Sequence, residues 1–171
     1  MADVHSPEIR RKNMRAIKAR DTSPEIKLRK ALHHRGIRYR ICPAELPGKP
    51  DLYLPKYNAV IQVNGCFWHA HNCELFKTPT TRKAFWIKKL SQNIERDRKN
   101  IEHLHNKRLR VIVVWECAMK GKNRLPDDLL VTLAIAWLKS GSLTGVISNK
   151  GLEYHQSIEP LLTDTYKLDQ Q

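Results

Sequence analysis

The chain has 171 residues, enough for one ordinary domain with a short appendage at either end. Lys and Arg total 31 against 17 Asp and Glu, a net charge of +14, and a hydrophobic share of 41% suffices for a packed core, which excludes a wholly disordered basic tail. No run approaches the roughly 20 apolar residues of a bilayer span, and MADVHSPEIRRKNMR offers no signal-peptide core, so the expectation is a soluble, cytoplasmic protein without a membrane partner. The polar, arginine-rich stretch 7–19 reads as a helix or arm lying across a partner. Asp21-Thr22-Ser23-Pro24-Glu25 then supplies capping side chains, a proline and an acid for a helix that Gly36 stops. Short β-like runs follow at 37–41, 51–54 and 59–63, separated by Pro43, Pro47-Gly48, Pro50 and the turn Pro55-Lys56-Tyr57-Asn58.

Past the cluster Gly65 to Cys73, a long helix is predicted from about Thr81 to Asn106, with Phe85, Ile87, Leu90, Ile94, Ile101 and Leu104 near helical spacing. Val111 to Trp115 is a continuous β-branched run, the pattern of a strand buried on both faces. Pro126-Asp127-Asp128 opens a last helix that Gly141 ends, and no element is assigned after 142. The order predicts a three-layer α/β fold with one mixed sheet flanked by helices. It divides into a basic segment 1–20, a main domain 21–141 and a C-terminal tail 142–171 of unknown role.

Residues 1–50 carry 13 basic and 5 acidic side chains, and only the last 21 residues reverse sign, with Lys167 against Glu153, Glu159, Asp164 and Asp169. Such a distribution suits nucleic acid, through release of counterions from neutralised phosphates, although a merely soluble basic surface has the same composition. Four cysteines in a chain of this kind point to metal or catalysis before disulfides. Cys66, His69, His71 and Cys73 fall within eight residues, and Cys117 follows the predicted buried strand, so three local ligands and one distant one could close a zinc tetrahedron. The spacing does not choose between His69 and His71, and Cys42 is left as a core thiol.

Asp51, at the start of one strand, faces Gln62-Val63-Asn64 near the end of the next, an arrangement that could hold Mg²⁺ through one carboxylate and the Val63 carbonyl. A strand-capping aspartate is the plain alternative. Phe67 and Trp68 lie in the hydrophilic loop, where base stacking or wedging competes with core packing; Phe85, Trp115 and Trp137 read as core.

Taken together, NMRAIKARDTSPE (13–25), LPGKPD (46–51), NGCFWHAHNC (64–73), FW (85–86), QNIERDR (92–98) and VIVVWECAMKG (111–121) resemble the very short patch repair DNA mismatch endonuclease family. The resemblance implies a restriction-endonuclease-like core, a variant of the PD-(D/E)xK type with a structural zinc. It implies nicking of one strand 5′ to the thymine of a T:G mismatch left by deaminated 5-methylcytosine. Carried over by position, Cys66, His71, Cys73 and Cys117 are the zinc ligands, Asp51 and the Val63 carbonyl hold Mg²⁺, and Glu25, His69 and Asn64 complete the catalytic centre. Glu25 is expected to orient His69 or to hold a metal-bound water. Phe67, Trp68 and Trp86 match an aromatic wedge, and the N-terminal segment with Met14 and Arg15 matches the part that lies on DNA. Some family members carry a histidine or an aspartate where Asn64 stands, and some a threonine in place of Val63. The resemblance also implies a monomer paired functionally with a DNA cytosine-5 methyltransferase, with a MutL-type mismatch-repair protein as a further partner and the nucleoid as its place of action. A restriction-type nuclease, or a zinc-stabilised DNA-binding protein with a weakened centre, are the alternative readings.

Overall fold

The computed structural model describes residues 6–163, 165 and 168; Asp164, Lys167 and Asp169 of the acidic terminus lie outside them. The first two helices begin where the sequence caps them. Ser6 Oγ accepts from the Ile9 amide and opens α1 (Pro7–Ala16), which buries none of its residues; Ile9, Met14 and the following Ile17 are each nearly half exposed. Thr22 Oγ1 accepts from the Glu25 amide, and Glu25 Oε2 reaches back to the Asp21 amide at 2.9 Å, a capping box that starts α2 (Ser23–His34). Leu28 and Leu32 on α2 are fully buried.

Six strands form one mixed sheet in chain order: β1 (Arg40–Ile41), β2 (Leu52–Leu54), β3 (Ala59–Asn64), β4 (Arg110–Trp115), β5 (Thr144–Ser148) and β6 (Gly151–His155). The pairs β3–β4 and β4–β5 are parallel, and the three remaining pairs are antiparallel. Each parallel step needs a crossover. The first is α3 (Lys83–Asn106), the second α4 (Asp127–Ser140). Strand β4 is buried on both faces, as its β-branched run predicts, and its alternation divides the core. Ile112 and Val114 pack with α2 and α4 around Leu28, Leu32 and Trp137. Val111, Val113 and Trp115 pack with Ile101 and Leu104 of α3 and Leu161 of the short α5 (Glu159–Thr163). The three-layer prediction is therefore met.

Two features pin the α4 layer. A Cβ at residue 145 would lie 2.5 Å from the Trp137 ring, so only glycine lets β5 approach the fully buried indole. The Arg110 guanidinium donates to the carbonyls of Trp137, Leu138 and Ser142 at 2.8–2.9 Å, satisfying the open C-terminal end of α4 while lying 4.4 Å from the Trp137 ring centroid.

The structure differs from the sequence reading in four places. Residues 144–155, to which the pattern assigns no element, form β5 and β6 joined by the turn Asn149-Lys150. The run 37–41 pairs only at Arg40–Ile41, because Ile37 is spent packing into the core beneath the end of α2 while Ile41 is half exposed. The first helix ends at Ala16 rather than 19. Phe85 is not core: it is 48% exposed on the first turn of α3, with the Arg82 guanidinium 4.6 Å from its ring centroid and the Trp86 ring in a T-shaped contact. Trp115 and Trp137 are buried as expected, and Cys42 is half-buried.

Candidate active site and metal centre

Strand β3 is core for its first three residues and opens into a cleft with its last three. Ala59, Val60 and Ile61 are fully buried; Gln62, Val63 and Asn64 line a cleft of about 810 Å³ at the carboxyl end of β3 and β4. Antiparallel pairing of Leu52 with Ile61 sets Asp51, just ahead of β2, opposite that open end. Its Oδ2 accepts a 2.6 Å hydrogen bond from the Val63 amide. Burial pushes the Asp51 carboxyl up to about 7; the Val63 bond and the nearby His69 oppose this, and Glu25 adds to it. A carboxyl buried beside another carboxyl is short of a cation, which is the electrostatic condition of a divalent-metal ligand.

His69 comes from the loop after β3, and its Nδ1 is hydrogen-bonded to Asp97 Oδ2 on α3. A carboxylate can only accept, so this bond places the neutral ring's proton on Nδ1 and leaves Nε2 as the acceptor. Asp51, Asn64, His69 and Asp97 all line the cleft. Glu25 lines it too but has no hydrogen bond to His69. Its two oxygens accept from the Asp21 amide and from Thr22 Oγ1 at 2.7 Å at the start of α2, and the carboxylate hydrogen-bonded to His69 is that of Asp97. Asp97 is the residue that sequence reasoning missed. The signal was present: along α3 the inward positions are Leu90, Asn93, Asp97, Ile101 and Leu104, and an acid in that register is a polar residue on a core-facing stripe. Asn93, one turn earlier, donates to the Trp68 carbonyl at 2.9 Å and ties the loop to the helix.

Phe67 and Trp68 line the cleft, and Trp86 packs against both. Phe67 stands edge-on to Trp68 and to Trp86 with centroids 5.2 and 5.3 Å apart, and Trp68 and Trp86 are 5.9 Å apart. All three are partly exposed, so neither pure core nor free surface describes them. Met14 and Arg15 lie on the exposed α1, whose C-terminal continuation Ile17-Lys18-Ala19 borders the same cleft.

Behind the cleft, the ligand atoms of Cys66, His71, Cys73 and Cys117 lie within 4.8 Å of one another, the one such group among the described residues. The structure thereby separates the two histidines: His71 joins the sulfurs and His69 faces the cleft. His71 Nδ1 is 3.5 Å from the Cys66 sulfur and 3.6 Å from that of Cys117. Zinc bonds of about 2.3 Å to sulfur and 2.0 Å to nitrogen at the tetrahedral angle give a separation of about 3.5 Å, so the donor set fits that ion. The His71 ring is stacked on Trp115, 4.0 Å away at an interplanar angle of 3°. The hydrogen bond with Cys117, followed by burial, pushes the Cys66 thiol up. The same bond, with His71 and the Asn149 backbone assisting, holds Cys117 low, at about 4. One shared proton between two buried sulfurs is what a cation would displace.

Comparison with known proteins decides the family. The family model described as DNA mismatch endonuclease Vsr matches residues 2–75. The DNA mismatch endonuclease Vsr of Escherichia coli K12 is 43% identical over 152 residues, 89% of this chain and 97% of that protein. The chain belongs to the Vsr family of DNA mismatch endonucleases. Two type II nicking enzymes are also similar: one from Neisseria meningitidis, 40% identical over 71% of this chain and 87% of its own, and one from Xanthomonas oryzae, 39% identical over 75% and 95%. Within this Vsr-family chain no helix among the described residues is long and apolar enough to cross a membrane.

Proposed function

We propose that this protein hydrolyses one strand of duplex DNA on the 5′ side of the thymine in a T:G mismatch, the lesion left when 5-methylcytosine deaminates. The observation that carries the reading is the meeting, in one cleft, of the partly buried acid Asp51 with a His69–Asp97 pair, lined by Phe67 and Trp68, on which Trp86 packs. Membership of the family supports the reaction, and the +14 charge supports a polyanionic substrate. On this reading the sheet is a variant of the restriction-endonuclease core.

Asp51 and the Val63 carbonyl would hold Mg²⁺, which when bound supplies Lewis acidity to the scissile phosphate and acidifies a water. His69 Nε2 takes the proton of the attacking water, with Asp97 fixing the tautomer, a contribution typically worth about 10²–10⁴-fold. The water oxygen bonds to phosphorus, the P–O3′ bond breaks, and the leaving oxygen takes a proton from a second water, whose hydroxide is neutralised by the proton that His69 later returns to solvent, giving a 3′ hydroxyl and a 5′ phosphate. Asn64 cannot exchange a proton near neutrality, so its amide serves to orient water or a phosphate oxygen. Glu25 acts on the centre by its charge, close to Asp51, and by fixing the start of α2. The centre of Cys66, His71, Cys73 and Cys117 would hold zinc in a structural role, since four protein ligands leave no open position. Phe67, Trp68 and Trp86 wedge into the stack beside the mismatch, and α1 with Met14 and Arg15 lies on the duplex. One chain carries the whole cleft, so the protein works as a cytoplasmic, nucleoid-acting monomer on sites set by a cytosine-5 methyltransferase.

The test is a denaturing gel of end-labelled duplexes incubated with protein and Mg²⁺. A single nick in the T strand of T:G, with matched T:A uncut, is the expected result. Cleavage of both strands, or equal cleavage of matched DNA, would overturn it.

A further inference from the structure

The chain does not end at the sheet. After α5, whose Leu161 packs with Cys66, Trp115 and Cys117, Thr165 forms an isolated antiparallel bridge with His71. Three residues on, Leu168 is only 7% exposed, inserted among Ala70, Phe76 and Leu90, and Phe67 packs on that same cluster. The tail therefore touches the metal loop at the backbone of one ligand and, through a single leucine, the cluster on which Phe67 packs. The loop needs such support. Ala70 sits at φ +47, a conformation costly for a residue with a Cβ, between the histidine of the cleft and the histidine of the metal centre.

We propose that Thr165 and Leu168 are positioning residues: they hold the 66–76 loop so that the metal ligands stay assembled and Phe67 and Trp68, with Trp86 packed on them, stay in place at the cleft. The consequence for mismatch recognition rests on the function proposed above; the consequence for the loop does not. Removing the Leu168 side chain opens a cavity in the cluster of Ala70, Phe76 and Leu90 on which Phe67 packs, and the loop then loses support on that side and opens more often.

The test uses the full zinc-loaded chain and Leu168→Ala, with Leu168→Val as a milder step and Leu168→Met as a conservative replacement. Trp115 and Trp137 are 4% and 0% exposed, so iodide quenching of fluorescence reports Trp68 and Trp86. Leu168→Ala is expected to raise the quenching constant about twofold, to speed zinc release to a chromophoric chelator about tenfold, and to lower the T:G over T:A nicking ratio about tenfold. Leu168→Val falls between, and Leu168→Met restores all three. Quenching unchanged in Leu168→Ala overturns the proposal, whether or not zinc release changes, because a mere brace of the metal loop would leave the indoles where they are. If the parent protein shows no preference for T:G, the mismatch reading fails, and the quenching and release measurements still decide the positioning role.

Discussion

Replacing Asp51 by Asn keeps the side-chain oxygen that accepts from the Val63 amide and removes the ionisable group. In the folded protein the parent carboxyl titrates at about 7 instead of its ordinary 3.8. A group with a raised folded pKa binds its proton more tightly in the native state. Its contribution to stability is thus fully present below about pH 4 and is lost as the pH climbs through 7. A shift of about three units at about 1.4 kcal/mol each makes the loss about 4 kcal/mol at full ionisation. Urea unfolding of parent and Asp51→Asn, in magnesium-free and chelator-free buffer at steps from about pH 4 to about pH 8, measures it as a difference in which zinc-linked effects common to both cancel. The two should coincide at the acid end and diverge above it, the variant becoming the more stable by several kcal/mol. Adding Mg²⁺ at about pH 8 should then stabilise the parent and leave the variant unmoved, because only a ligand that binds the native state shifts the midpoint. Parallel curves across the whole pH range would refute the reasoning that residue 51 is a buried acid lacking its cation.

Asp51→Asn should also abolish nicking while leaving duplex affinity within about threefold, as read by anisotropy, since the residue contributes charge to the metal and not to phosphate contacts. Asp97→Asn should lower the single-turnover nicking rate about 10²-fold with KM little changed, because the amide can hold His69 in the wrong tautomer; an unaltered rate would remove the pair from the chemistry. Cys117→Ser should lose zinc and lower the thermal midpoint sharply, and a stable, zinc-loaded variant would refute the ligand assignment. Trp68→Ala should reduce T:G over T:A discrimination more than affinity for random duplex, and an equal fall in both would end the wedge interpretation.

How far the sequence spoke depended on how local the signal was. The caps at Thr22 and Glu25, the buried run of β4 and the Cys-His loop are each carried by a few adjacent residues, and each was legible. The hairpin 144–155 was not, because its apolar residues are sparse, Val146 and Ile147 on β5 with Leu152 and the half-exposed Tyr154 on β6, and the pairing of β5 is supplied by β4. Its turn also carries the Asn149 backbone group that supports Cys117, a contribution invisible without the fold. Spacing alone could not choose between His69 and His71, as the family resemblance did, because the distinguishing partners, Asp97 and Cys117, stand 28 and 46 residues away. Phe85 misled because helical spacing near a helix's first turn does not say whether another layer reaches that far. That Glu25 bonds to Asp21 and Thr22 and not to His69 was also hidden, because the capping contacts are seen only once the start of α2 is built; its place in the cleft leaves the alternative of a metal-bound water standing.

The most direct measurement places the acid and the imidazole against one ion on the same DNA. With Mn²⁺ in place of Mg²⁺ and a T:G duplex made uncleavable at the scissile phosphate, the ring resonances of His69 should broaden strongly in selectively labelled protein. The same titration of Asp51→Asn should leave them sharp. Unbroadened His69 signals in a parent complex that has bound Mn²⁺ would mean that the two groups serve different sites.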